Sequence, residues 1–152
     1  QSAKGNAQQP AANPAQTQSL NLTAYAELLR SDVRAQKVAI ITEVMGFTET
    51  EDKAFWPVYR QYENELAKCN DARLQGIEQY GQTFTSLTDA TANDLMTKAL
   101  DLEARRTALL QKYYTNLKTA VSPLTAARAL QVERQILLLL DLQVAASLPV
   151  VE

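Results

Sequence analysis

Apolar residues recur along much of this chain at steps of three and four, which is the spacing of one face of an α-helix. Three of these amphipathic stretches follow an apolar residue and a threonine, at Phe47-Thr48, Leu87-Thr88 and Leu124-Thr125. A threonine in that place caps a helix, because its hydroxyl accepts a hydrogen bond from a backbone N–H of the first turn. The preceding apolar residue packs back onto the helix. The pattern therefore predicts an all-α protein of long helices.

The periodicity divides into four predicted helices, which cover residues 24–45, 49–84, 89–120 and 126–147. Gly46 suits the end of helix 1 because glycine tolerates left-handed dihedrals. Ser122-Pro123 separates helix 3 from helix 4. Pro57 falls inside helix 2, where a proline removes a hydrogen bond and bends the helix, unless the helix begins nearer residues 54–56.

The connections between the predicted helices are short, so consecutive helices should run antiparallel. Helices 2 and 3 then form a long antiparallel hairpin, and helices 1 and 4 flank it. Two arrangements remain open from the sequence. Helices 1 and 4 cover the hairpin as a bundle, or a second copy of the chain covers it in a dimeric cradle.

The first 21 residues differ in composition from the rest of the chain. They are rich in Ala, Gln, Pro and Asn and carry one charge, at Lys4. Such a segment buries too little apolar surface to order itself, so we expect a disordered tail at 1–21 and a single helical domain at 22–152. A chain that opens Gln1-Ser2-Ala3 without Met is typical of an exported bacterial protein whose signal peptide has been removed. We expect a periplasmic location, with a chain trimmed for expression as the alternative.

The composition argues against several classes of protein. The formal net charge is −2, whereas nucleic-acid binders usually carry a basic surface. Histidine is absent, which removes the commonest general acid/base and the commonest transition-metal ligand. The longest unbroken apolar run, Ile136–Leu140, is far shorter than the roughly 20 residues of a membrane span. We therefore expect no enzyme activity, no cofactor or metal, no nucleic-acid partner and no membrane span.

Charged residues are spread along all the predicted helices. Carboxylates such as Glu63 and Glu133 are expected on solvated faces and in salt bridges. Asp141 lies between two leucines, so two placements remain open for it. Solvent exposure is the simpler expectation, and a buried pair with an arginine such as Arg73 or Arg106 is the alternative.

Aromatic residues cluster early in helix 2 and late in helix 3, and an antiparallel hairpin brings those two regions together. The cluster is either an aromatic core layer or an exposed patch, since adjacent bulky residues fall on more than one side of helix 2. Two leucines likewise widen the apolar face of helix 4 beyond a single stripe. Exposed apolar patches are typical of protein contacts. We therefore expect a partner-binding surface formed by Phe55, Trp56, Tyr59, Leu138 and Leu139.

The threonine segments resemble the helix starts of the Spy/CpxP family of periplasmic proteins, which carry Leu-Thr-x-x-Gln motifs. The matching segments are Phe47–Glu51, Leu87–Thr91 and Leu124–Arg128, and none of them contains the glutamine. A second likeness is to uncharacterised exported proteobacterial helical proteins with a Phe-Trp-Pro-x-Tyr segment. Here that segment is Phe55-Trp56-Pro57-Val58-Tyr59, and the likeness covers most of residues 22–150.

The resemblance implies ATP-independent chaperoning of unfolded envelope proteins, or a part in the envelope stress response, by a thin helical homodimer that forms a cradle. Metal-sensing relatives use histidines, which this chain lacks. The leading hypothesis is a chaperone-like periplasmic binding protein. The alternative is a structural or regulatory dimer subunit, whose apolar surface is covered permanently by its mate or by a dedicated envelope partner.

Overall fold

The structure of the protein is a computed structural model, which describes residues 33–148 apart from the side chain of Ser147. Within that range the chain forms four helices and no strand, which confirms the predicted all-α class. The helices are α1 (Val33–Met45), α2 (Glu49–Thr83), α3 (Asp89–Ala120) and α4 (Pro123–Ser147). The predicted tail at 1–21 and the predicted beginning of helix 1 lie outside the described residues.

Threonine caps set the starts of α2 and α3 at the predicted positions. The Thr48 hydroxyl accepts a hydrogen bond from the Glu51 backbone N–H at 3.2 Å, and the Glu51 carboxylate accepts one from the Thr48 N–H at 3.2 Å. This reciprocal pair is a capping box. The Thr88 hydroxyl accepts in the same way from the Thr91 N–H at 3.2 Å. The predicted starts at residues 49 and 89 are therefore confirmed.

The predicted start of the fourth helix is wrong, because α4 begins at Pro123 and not after Thr125. The cap is Ser122, whose hydroxyl accepts from the Thr125 N–H at 3.1 Å. Pro123 takes the first helical position, where a missing N–H costs nothing and φ is already helical. Thr125 lies inside the first turn, and its hydroxyl donates to Glu51 Oε2 on α2 at 3.0 Å. This contact joins the N-terminal ends of α2 and α4.

Pro57 and Gly46 were each predicted to interrupt a helix or to end one, and they differ in their effect on the backbone. α2 begins at Glu49 and continues through Pro57 without a break, so the alternative of a start at residues 54–56 is wrong. α1 ends as predicted at Gly46, which has a φ of +54° and donates its N–H to the Thr42 carbonyl at 3.2 Å. Glycine adopts this left-handed conformation without strain. The residue therefore sets the direction in which the chain leaves α1.

α2 and α3 form the predicted antiparallel hairpin. Tyr62 on α2 meets Tyr113 on α3 with ring centroids 5.5 Å apart. Close to this contact, Lys112 Nζ lies 2.9 Å from Glu65 Oε1. As residue numbers rise along α2 they fall along α3, which is the register of an antiparallel pair.

α1 and α4 cover the hairpin within one copy of the chain. Contacts between α2 and α4 advance together along both helices, through the residue pairs 51–125, 59–133 and 73–141, so these two helices are parallel. α1 packs against α4 and reaches α2 through the contact of Lys37 with Glu63. The architecture is an all-α bundle.

The main core lies where all four helices meet. Ile41 from α1, Phe55 from α2 and Ala126 from α4 are fully buried there, beside apolar residues of α3. A smaller cluster joins Ile77 and Val144 near the C-terminal ends of α2 and α4. The N-terminal half of α2 therefore has its apolar face covered by the other helices.

Candidate functional site

The aromatic residues that were predicted to bind a partner belong to the core. Phe55 is 0% exposed and Tyr59 is 3% exposed, and their rings stack with centroids 5.4 Å apart. Trp56 is half-buried, and its Nε1–H donates to Asp52 Oδ1 at 2.6 Å. The expectation of an exposed aromatic patch is therefore wrong for Phe55 and Tyr59. The alternative of an aromatic core layer is confirmed.

The leucine pair predicted on helix 4 lies on the surface. Leu138 and Leu139 are 62% and 64% exposed, and Leu142, one turn further along, is 65% exposed. Leu137 and Val144, on the opposite side of α4, are buried. Residues three and four apart adjoin on the surface of a helix. We call the three exposed leucines, Leu138, Leu139 and Leu142, the α4 leucine patch.

The exposed charges on α4 are positive. Arg128 and Arg134 face solvent, whereas the two carboxylates of this helix, Glu133 and Asp141, are turned inward and paired. The outer face of α4 therefore combines apolar surface with positive charge. Electrostatic complementarity favours a partner in which apolar residues lie beside carboxylates.

Polar side chains from three helices meet beneath α1, away from solvent. The hydroxyls of Tyr59 and Tyr62 donate to the two oxygens of Glu133, each at 2.7 Å. Lys37 Nζ lies 2.6 Å from Glu133 Oε1 and also donates to Glu63 Oε1. The three charged residues are between 2% and 7% exposed. We call the four residues around Lys37, namely Tyr59, Tyr62, Glu63 and Glu133, the ammonium cage.

The ammonium cage satisfies its polar groups and its charges together. Lys37 Nζ lies 5.7 Å and 5.5 Å from the ring centroids of Tyr59 and Tyr62, within the range of a cation–π interaction. Burial, and then the negative charge of Glu133, raises the pKa of both tyrosines far above the ordinary value. Both phenols therefore stay protonated and act as donors. No buried side-chain N or O among the described residues lacks a hydrogen-bond partner.

Glu63 and Glu133 form salt bridges, as expected, but they are buried and not on solvated faces. The sequence of α4 contains a signal for this burial. Glu133 lies four residues after Ala129 and four before Leu137, which are both buried. A charged residue at such a spacing falls on the apolar stripe of its helix. Lys37 occupies the buried row of α1 in the same manner. Charged residues that fall on the apolar stripes of two different helices therefore indicate a buried ionic network between those helices.

Asp141 forms a second ionic site further along α4. Arg106 from α3 binds both carboxylate oxygens, at 2.9 Å and 2.5 Å, and Arg73 from α2 binds Oδ1 at 2.8 Å. Burial alone would raise the pKa of Asp141, but the two arginines outweigh it and hold this pKa below its ordinary value. Of the two placements left open, solvent exposure is wrong. Pairing with an arginine is confirmed, with both candidates as partners.

Within residues 33–148, no three His, Cys, Asp or Glu side chains are placed to hold a metal ion, and no helix of that range has the length and apolarity to cross a membrane. The cavity lined by Tyr59, Tyr62 and Tyr113 has a volume of about 10 Å³, which is about the space of one water molecule. That cavity is too small for an organic substrate.

Comparison of the chain with protein-family models, curated proteins and solved structures finds no match. The resemblance to the Spy/CpxP family therefore stays a prediction, which rests on the threonine segments of the sequence.

Proposed function

We propose that the protein is a non-enzymatic, periplasmic helical binding protein, which holds apolar segments of unfolded envelope proteins on the α4 leucine patch as an ATP-independent chaperone does. The observation that carries the proposal is the exposure of three neighbouring leucines on a helix whose inner side is already occupied. Contiguous apolar patches on a folded protein mark sites of protein contact. The exported location and the family resemblance, both expected from the sequence, favour envelope clients.

The size of the patch suits reversible binding. Full burial of a leucine side chain contributes roughly 1.5–3 kcal/mol, so three leucines supply several kcal/mol of favourable free energy. The loss of translational and rotational freedom on association offsets much of this gain. The net affinity for a short client segment is therefore weak, which allows release without ATP.

The arginines on the same helix define which apolar segments bind best. Arg128 and Arg134 are exposed on the turns before the leucine patch. A client segment with Asp or Glu beside its apolar residues gains attraction from them, and its rate of association falls as salt is added. A segment flanked by lysines gains no such attraction.

A client-protection assay tests the proposal. We expect the protein, at stoichiometric amounts, to suppress the light scattering of reduced insulin, and we expect the double variant Leu138→Ser/Leu142→Ser to lose most of that protection. The matched control is Met96→Ser/Leu100→Ser on α3, because these residues are also exposed and apolar. Circular dichroism checks that both variants keep their helices. Equal protection by the two double variants, or none by the original chain, contradicts the proposal.

A second candidate function is a structural or regulatory subunit, whose leucine patch is covered permanently by a second copy or by a dedicated envelope partner. One observation favours it. Three exposed apolar residues on α4, Leu138, Leu142 and Ala145, follow one another at steps of four and three, which is the spacing of the apolar contacts between paired helices.

Sedimentation over a wide range of concentration separates the two candidates. A dimer that does not dissociate, and that binds no hydrophobic dye, favours the structural subunit. A monomer that binds the dye through the leucine patch favours the chaperone-like protein.

A further inference from the structure

We infer that Asp141 is the positioning residue of the α4 leucine patch, because its bonds to Arg73 and Arg106 fix which side of the second half of α4 faces outward. The inference concerns the exposure of the patch, so it holds whether or not clients bind there. Its consequence for clients rests on the proposed function.

The first half of α4 is oriented by its own pattern. Gln131, Arg134 and Gln135 are exposed, and turning them inward would bury polar groups without partners, which costs free energy. On the inner side, Glu133 is held in the ammonium cage. The placement of polar residues therefore decides which side of this half faces the core.

The second half of α4 lacks such a pattern. The residues Ile136–Leu140 are all apolar and span more than one turn, so apolar side chains point in every direction around the helix. Leu137 is buried, whereas Leu138 and Leu139 are exposed. A leucine side chain gains a similar free energy on burial at each of these positions. Hydrophobic burial therefore does not select Leu137 over its neighbours.

Asp141 is the only polar residue in the segment 136–142, and it stands at the boundary between two sides of α4. Leu137 and Val144, which are buried, lie about 40° and 60° from it on one side. Leu138 and Leu142, which are exposed, lie about 60° and 100° from it on the other side. The contacts that hold Asp141 therefore fix the boundary between the buried and the exposed side.

Two helices hold Asp141. Arg106 of α3 binds both carboxylate oxygens, and Arg73 of α2 binds Oδ1. A two-point contact between a guanidinium and a carboxylate adds geometric specificity. A turn of α4 that carried Leu138 and Leu142 inward would move the carboxylate of Asp141 and lengthen its bonds to Arg106. The ion pairs thus hold these leucines outward.

Apolar packing near Asp141 is sparse. Among the described residues, the cluster at this end of the bundle has two buried members, Ile77 and Val144, with Leu148 packed against them. A partly buried polar contact selects one arrangement among several that apolar packing leaves close in energy. Asp141 has that role for the leucine patch.

Hydroxyl-radical footprinting with mass spectrometry tests the inference on the full chain, because the rate at which a leucine is oxidised follows its exposure. Rates are read relative to Leu100, an exposed leucine of α3. We expect Asp141→Leu to lower the relative rates of Leu138 and Leu142 at least twofold, since no polar residue then remains in the segment 136–142 to keep its orientation. The first half of α4 limits the turn, so the two sides do not exchange completely.

Two further variants separate orientation from stability. Ile77→Ala removes an apolar contact at the same end of the bundle but leaves Asp141 and both arginines in place, so the relative rates should be those of the original chain. Asp141→Glu keeps a carboxylate for the arginines and should restore most of the original rates. Circular dichroism checks that each variant keeps its helices.

Unchanged rates in the folded Asp141→Leu protein, or an equal fall in Ile77→Ala, overturn the inference. If Asp141→Leu does not fold, Arg106→Gln decides in its place, because it removes the two-point contact from the side of α3 and should lower the same two rates. Client protection is a separate readout on these variants. Protection that stays complete while the exposure of the patch falls contradicts the proposed function and not the role of Asp141.

Discussion

At the scale of single residues, the ionic sites on α4 differ in their access to solvent. Glu133 is almost fully buried and bound by groups of α1 and α2, whereas Asp141 is partly buried and bound by two arginines. The pKa of Asp141 is lowered from an ordinary value of 3.8. A lowered pKa in the folded state makes the contribution of this residue to stability depend on pH.

Asp141→Asn tests that dependence. The carboxyl group of Asp141 binds a proton less readily in the folded chain than in the unfolded chain. The contribution of Asp141 to the free energy of unfolding is therefore complete above pH 3.8, and it is lost as the pH falls through the lower pKa of the folded state. At neutral pH we expect the substitution to lower the free energy of unfolding by about 2 kcal/mol, since it weakens the hydrogen bonds of two arginines to a charged group. Urea denaturation at neutral and at acidic pH measures the difference, which should shrink in acid.

Asp101→Asn is the matched control, because Asp101 is exposed on α3. The same chemical change there should leave the free energy of unfolding nearly unaltered at both pH values. If Asp141→Asn lowers the free energy of unfolding by the same amount in acid as at neutral pH, the pH-dependent contribution assigned to Asp141 is contradicted.

At the scale of the helices, the two prolines in the described helices stand in opposite positions. Pro57 lies in the interior of α2, where its missing N–H leaves a gap in the helical hydrogen bonds. Pro123 lies at the first position of α4, where no such bond is required. Both residues are exposed, so neither contributes much packing.

Pro57→Ala should therefore stabilise the protein. The gain in helix propensity, less the added entropy of the unfolded chain, predicts an increase of about 2 kcal/mol in the free energy of unfolding. Pro123→Ala, the control, should give no increase. Urea denaturation of both variants measures the two effects, and a Pro57→Ala protein no more stable than the original is the outcome that counts against this account of α2.

The starts of α2 and α3 were predictable because each threonine cap stands between an apolar residue and the beginning of a periodic apolar stretch. The start of α4 was not, because Ser122 and Thr125 are both good caps and lie one helical turn apart. Which of the two hydroxyls accepts the backbone N–H depends on the path by which the chain leaves α3. Thr125 is drawn instead to Glu51 on α2, a contact that no local pattern contains.

At the scale of the whole molecule, the fold decides which apolar faces stay uncovered. Periodicity describes each helix by itself, so it predicts the stripes but not the helix that packs on each one. Phe55 and Tyr59 were therefore placed wrongly at the surface, since α1 and α4 enclose them. The exposure of Leu138 and Leu139 was predicted correctly, because apolar residues on α4 extend round more of the helix than a bundle can bury.

The bundle consequently carries its exposed apolar residues and its buried charges on different sides of α4. The outer face of α4 is apolar with positive charge beside it, whereas the carboxylate of Glu133 lies on the inner side, paired with Lys37 in the ammonium cage. We propose the outer face as the site for unfolded clients.

Site-specific photo-crosslinking tests most directly the claim that the α4 leucine patch contacts clients. A photoreactive amino acid is placed at Leu139 in one variant and at Thr107, an exposed position on α3, in the other, and each is irradiated with reduced insulin as it aggregates. We predict covalent adducts with the client from position 139 and few from position 107. Equal yields from the two positions, or adducts at 139 with a second copy of the chain alone, contradict the claim.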